Sequence, residues 1–121
     1  EPVQYDIQNH KQKIVFLYDR FAISNLVNQQ YSNKKKCIFG TGKYGEQVYK
    51  AMREYGLKID CFSDNNPAKW NKQIEGIKVI APANLTKHHL IFIASSWKFE
   101  ISEQLREKGF KWGEDFVWVN R

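Results

Sequence analysis

The sequence has 121 residues, 42% hydrophobic, 15% aromatic and 26% charged, with 19 Lys and Arg against 13 Asp and Glu for a net charge of +6. That length fits one domain around one core and excludes a two-lobed enzyme with separate cofactor and substrate domains, and the apolar share excludes a disordered chain. No apolar run nears the ~18–20 residues that cross a bilayer, and the opening Glu1-Pro2-Val3-Gln4-Tyr5-Asp6 lacks the basic and apolar regions of a signal peptide, so the chain reads as a soluble, cytoplasmic domain, complete or cut from a longer protein.

In chain order, residues 1–33 read as an N-terminal segment and 34–121 as the domain proper. Ile14, Leu17, Tyr18, Phe21, Leu26 and Val27 fall at roughly helical spacing, which predicts an amphipathic helix over about 13–30. Lys34-Lys35-Lys36 is the only basic run and reads as a solvated strand entrance. With no helix-turn-helix, zinc-finger or RNP-type pattern, no nucleic-acid partner is expected. Cys37-Ile38-Phe39 is a short buried strand ending at Gly40. A helix follows over Tyr44 to Tyr55, with Val48, Ala51, Met52 and Tyr55 on one face and Gly56 as its stop. Lys58 to Phe62 is a second strand, closed by the turn-forming Asp64-Asn65-Asn66-Pro67. Ile77 to Ile80 is a third, halted by Pro82, and Leu90 to Ala94 a fourth, the most apolar. Ser96 is suited to cap a helix over 97–108 that faces Ile101 and Leu105 inward and ends at Gly109. Phe116 to Val119 is the last strand.

Near-continuous apolar strands alternating with helices imply a parallel sheet covered on both faces. With right-handed crossovers, the expected fold is α/β: a Rossmann-like, doubly wound, mainly parallel five-stranded sheet with helices on both faces. The expected strand order is third, second, first, fourth, fifth.

The chemistry concentrates in Gly40-Thr41-Gly42-Lys43-Tyr44-Gly45, a G-x-G-x-x-G between a strand and a helix. Gly40 permits the turn out of the strand, Gly42 lets a phosphate approach the backbone, and Gly45 brings the helix close to the sheet. The helix end offers N–H groups and a positive dipole to an anion. Asp64 lies 19 residues after Gly45, where an acidic side chain holds a ribose hydroxyl in dinucleotide sites. The competing reading is a tight glycine turn and an Asx turn, with no ligand. Ser95-Ser96-Trp97 after the fourth strand converges on the same crevice. Its hydroxyls suit a phosphate or sugar and Trp97 a stacked ring, against a plain helix cap and edge packing. Lys43 is placed to neutralise phosphate, against pointing to water.

Catalytic groups are not evident. Tyr31 and Lys35 match a Tyr-x-x-x-Lys pair only before the glycine loop, where it is a chance match. Cys37 and Cys61 read as buried free thiols rather than nucleophiles or a bridge. His88 and His89 fall at the far end of the sheet as surface residues, and Glu100 and Glu103 on a solvent-facing helix side. No metal site is expected from three histidines without partners at ligand spacing.

From Lys36 to about Val119 the sequence resembles the small Rossmann-like domain of bacterial surface-polysaccharide and glycan-biosynthesis enzymes. The similarity is carried by Ile38-Phe39-Gly40-Thr41-Gly42 and Gly45, Phe62 through Trp70, Ile74 through Ile80 with Pro82, Ile101 through Phe110, and Glu114-Asp115-Phe116. Such domains occur in UDP-amino-sugar acetyltransferases, nucleotide-sugar dehydratases and FkbM-like methyltransferases. The resemblance implies that Gly40, Thr41, Gly42, Lys43, Tyr44 and Gly45 take the diphosphate of a nucleotide-sugar, a UDP-sugar foremost, with Asp64 and Asn65 near the ribose or uracil. NAD(P) or coenzyme A are the other ligands. On this reading the chain is a non-catalytic, nucleotide-binding module of a transferase. The alternatives are a ligand-free domain that docks a catalytic partner or a second copy through its N-terminal helix, and an NAD(P)-dependent oxidoreductase half-domain.

Overall fold

The computed structural model describes residues 33–54 and 56–119. The helix expected over 13–30 lies outside them, as does the expected inward face of Tyr55. The described chain is mixed α/β: β1 (Lys35–Phe39), α1 (Lys43–Glu54), β2 (Cys61–Ser63), β3 (Gln73–Ile74), β4 (Ile77–Ile80), β5 (His89–Ile93), α2 (Lys98–Glu107) and β6 (Phe116–Trp118). The strands form one sheet in the order β3-β4-β2-β1-β5-β6. All pairings are parallel except β3 with β4.

Five strands in the expected order are present, although the second is confined to Cys61–Ser63 rather than starting at Lys58, and the sheet has six. The extra strand, β3, is the outer arm of a hairpin. Glu75 (φ 54) and Gly76 (φ 80) both adopt positive φ, the conformation of a two-residue hairpin turn whose twist matches the flanking strands. This hairpin and a 3-10 turn at Pro67–Lys69 occupy the crossover from β2 to β4, and another 3-10 turn at Pro82–Asn84 leads toward β5. Two helices therefore cover the described sheet.

Each helix covers one face, as strand alternation dictates. Ile38, Phe62, Leu90, Phe92 and Val117 pack with Val48, Tyr49 and Met52 of α1. Cys37, Phe39, Cys61, Ile91, Ile93 and Phe116 pack with Ile101 and Leu105 of α2. The buried stripe of α1 is Gly45, Val48, Tyr49 and Met52, so Tyr49 rather than the expected Ala51 completes it. Both helices stop in the same way. Gly56 and Leu57 donate to the carbonyls of Arg53 and Met52, and Gly109 and Phe110 to those of Arg106 and Leu105, the paired bonds of a Schellman ending. Buried Leu57 and Phe110 follow each glycine and anchor the exit. Ser96 does not cap α2. The cap position is Trp97, without a side-chain bond, and the Trp97 N–H instead donates to Ser95 Oγ at 3.0 Å.

At the amino ends of the strands, Asp115 is 2% exposed. Its carboxylate accepts from Lys34 Nζ (2.8 Å), Lys87 Nζ (2.7 Å) and the Lys111 N–H (2.8 Å). The basic run is thus only partly a solvated entrance: Lys34 is bound to Asp115, and Lys36 is buried with its Nζ on the Lys34 carbonyl at 2.8 Å. Among the described residues no helix is long and apolar enough to cross a membrane.

Candidate functional site

The sheet order reverses between β1 and β5, since β2 and β4 lie to one side of β1 and β5 and β6 to the other. Ligands of open α/β sheets bind at such a reversal, beyond the carboxyl ends of the strands. Three predicted segments meet there. The glycine loop leaves β1, Asp64 follows β2, and Ser95-Ser96-Trp97 follows β5.

The loop is built by close backbone approach. Gly40 has φ +131, and a Cβ on it would lie 2.3 Å from the Ala94 carbonyl oxygen and 3.7 Å from Ser95 Cβ. Its N–H donates to the Ser63 carbonyl at 2.8 Å. Gly40 therefore seats the loop between β2 and β5 with no room for a side chain. A Cβ on Gly45 would come within 2.0 Å of the Gly40 carbonyl oxygen, so Gly45 sets how closely α1 approaches the strand it follows. Gly42 is different. Nothing lies within 4 Å of its would-be Cβ, and the residue is exposed. The first helical bond runs from the Glu46 N–H to the Gly42 carbonyl at 3.0 Å, so earlier N–H groups of the turn lie outside the helix ladder.

Asp64 closes the other side. Its Oδ2 accepts from the Thr41 hydroxyl at 2.6 Å and the Thr41 N–H at 3.2 Å, and its Oδ1 from the Asn66 N–H at 2.8 Å. This one side chain thus faces the glycine loop and also closes the Asx turn that the sequence allowed. A carboxylate offers about four acceptor positions, so three bonds leave room for one more donor. The Trp70 Nε1–H binds the Asp64 carbonyl at 2.7 Å and fixes the turn from beneath.

The remaining predicted residues divide. Asn65 makes a reciprocal amide pair with Gln104 of α2 (both bonds 2.9 Å), a bridge across the crevice that sequence reading missed because Gln104 carries no motif. Lys43 is exposed at the helix start, and Ser96 is exposed. Trp97 is 65% exposed. The Tyr44 hydroxyl is committed to the Val119 carbonyl, so this side chain ties α1 to the end of β6. His89, expected on the surface, is half-buried at the start of β5, with its Nδ1 accepting from the Thr86 N–H at 3.0 Å. Among the described residues no cluster of three or more His, Cys, Asp or Glu is arranged to hold a metal.

A family model described as C2185-like, N-terminal, matches residues 32–112, two thirds of the sequence. The chain belongs to the C2185-like N-terminal family. A curated relative of this C2185-like domain is a redox-sensing transcriptional repressor, Rex, of Desulfitobacterium hafniense (strain DSM 10664 / DCB-2), 31% identical over 83 residues that cover 60% of the chain and 40% of the repressor. The chain thus spans about two fifths of that relative's length. Among solved structures, a Rex-family repressor, RSP, is similar with a TM-score of 0.51 at 16% identity, over 76% of this chain and 55% of the other. That likeness is one of fold.

These relatives correct the expected kinship with glycan-biosynthesis enzymes. The nucleotide-sugar module, the polysaccharide setting and the transferase parent find no counterpart among them. The two alternatives, a ligand-free docking domain and an oxidoreductase half-domain, gain no support either. A repressor of transcription also removes the ground for expecting no nucleic-acid partner. The physical reason for the error is that a glycine turn, a helix start and a facing carboxylate are local features of backbone and side chain. They do not encode the reaction or assembly around it.

Proposed function

We propose that this C2185-like domain is the ligand-sensing part of a gene regulator, and that it binds a nicotinamide dinucleotide at the glycine loop in a doubly wound, Rossmann-type crevice. The observation that carries the reading is the facing pair at the sheet reversal: an open Gly42 on one side and Asp64, held by Thr41, on the other. A strand–glycine turn–helix with an acidic residue some 20 positions on is the fingerprint of dinucleotide sites. The redox-sensing repressor to which the chain is similar supplies the other half, since sensing redox state through a dinucleotide calls for one that exists in oxidised and reduced forms. Gly42 and Lys43 then meet the pyrophosphate, and the remaining acceptor position of Asp64 takes a ribose hydroxyl. Ser95 and Trp97 line the opposite wall. A repressor acts on DNA, so nucleic acid is the partner of the regulator to which such a sensor belongs.

Titration calorimetry with NAD+, NADH and ADP tests this. One redox form is expected to bind more tightly than the other, and Gly42→Val, whose side chain fills the space left for phosphate, is expected to remove the heat while the variant stays folded. Silence with all three ligands at low salt sinks the reading.

A further inference from the structure

β1 and β2 carry the two cysteines of the sequence at one register, Cys37 directly opposite Cys61. Both are free and buried, and both point to the face covered by α2. Neighbouring strands lie about 4.7–4.9 Å apart, inside the roughly 4.4–6.8 Å between Cα atoms that a disulfide accepts. His89 of β5 lies two residues before Ile91, the register partner of Cys37, so strand alternation puts it on the same face.

The pair is unequal. The Cys37 thiol is pushed well up by burial, with Cys61 and Asp60 adding to the rise. The Cys61 thiol is pulled down, chiefly by the hydrogen bond from Cys37 and then by His89, against burial and the charge of Asp60. Cys61 is also the one solvent reaches, at 6% exposure against 0% for Cys37. Two thiols directly opposite each other on one face, one held low and the other high, are the arrangement of an attacking and a resolving sulfur.

We propose that Cys37 and Cys61 are a dithiol that hydroperoxides oxidise to a disulfide between β1 and β2. The Cys61 thiolate attacks one peroxide oxygen. An S–O bond forms, the O–O bond breaks, and the departing hydroxide takes a solvent proton to leave as water. Cys37 sulfur then attacks Cys61 sulfur, forming S–S and breaking S–O, and its proton leaves with the second hydroxide as water. Two thiols lose two electrons and two protons, and one hydrogen peroxide becomes two waters. The chemistry stands independently of dinucleotide binding, although Gly40 and Asp64 each lie three residues beyond a cysteine on the same two strands.

The test is the reduced, folded chain treated with hydrogen peroxide and followed by intact mass under non-reducing denaturing conditions. The expected product is a monomer lighter by two hydrogens, restored by dithiothreitol, with the bridge mapped to peptides holding Cys37 and Cys61. C37S should leave a sulfenic acid on Cys61 that dimedone captures, C61S should give no adduct on Cys37, and H89A should slow the wild-type reaction several-fold. An unchanged wild-type mass under peroxide that consumes a control peptide thiol overturns the proposal, as does oxidation seen only in urea or a bridge between two chains. The wild-type measurement decides alone if a variant fails to fold.

Discussion

Three glycines of one loop are under different constraints, and substitutions separate them. Alanine at Gly40 combines a positive φ with a Cβ 2.3 Å from the Ala94 carbonyl oxygen, and alanine at Gly45 meets the Gly40 oxygen at 2.0 Å. Neither neighbour is a flexible side-chain tip, so each change should cost about 3 kcal/mol or more, a strained or overpacked backbone being among the larger single-residue penalties. Gly42→Ala meets nothing and should change the unfolding free energy from urea denaturation by less than ~0.5 kcal/mol, as for an unencumbered surface change. Equal losses at all three positions would contradict this account of the loop. Asp115 makes a second case. Burial alone would raise its pKa, but the bonds from Lys34, Lys87 and the Lys111 N–H, with the charge of Lys34, outweigh that and hold it below the ordinary 3.8. A carboxylate held lower in the folded state stabilises fully above its unfolded pKa, and the contribution fades as pH falls through the folded value. Asp115→Asn should therefore cost about 2–4 kcal/mol at neutral pH, because two lysines lose their counter-charge. Denaturation curves at falling pH should show the wild type losing part of that margin below pH ~4, with the variant's curve flatter there.

At the scale of elements, α2 depends on few contacts. Its buried residues are Ile101, Ser102 and Leu105, and Ser102 Oγ donates to the Lys98 carbonyl while accepting from Trp118 Nε1 at 2.8 Å. Leu105, at 0% exposure, is the residue nearest the helix end that seals the second face, and Leu105→Ala should cost about 2–5 kcal/mol in chemical denaturation. The strands, the helices and their glycine stops were legible in the sequence because each repeats a strong local signal: apolar runs, residues spaced three and four apart, a glycine at each exit. β3 was not. Two residues are too short to show a period of two, and Glu75-Gly76 between Ile74 and Ile77 was the only available sign. The candidate site was legible as a list but not as bonds. Thr41 and Asp64 find each other because β1 and β2 are neighbours, and Asn65 meets Gln104 only after α2 folds back. The expected glycan kinship leaned partly on Phe62 through Trp70 and Ile74 through Ile80, segments that build a turn and a hairpin. They carry architecture rather than chemistry.

For the molecule as a whole, protection should follow the sheet order. β1 and β5 pair with each other over five residues and each with a second neighbour over three, whereas β3 has one partner and two residues. Amide hydrogen exchange should therefore be slowest in β1 and β5 and fastest in β3, and the reverse ranking would mean that the parallel centre is not the last part to open. The hairpin has a consequence of another kind. An uncovered edge of a parallel sheet is a template on which a foreign chain can extend the ladder. Here the edge beside β4 is occupied by a stub with an exposed Gln73 and a tight reversal at Glu75-Gly76, too brief to nucleate further pairing. The stub works as a stopper, and keeping concentrated copies of the domain from polymerising along that side depends on the four residues Gln73 to Gly76.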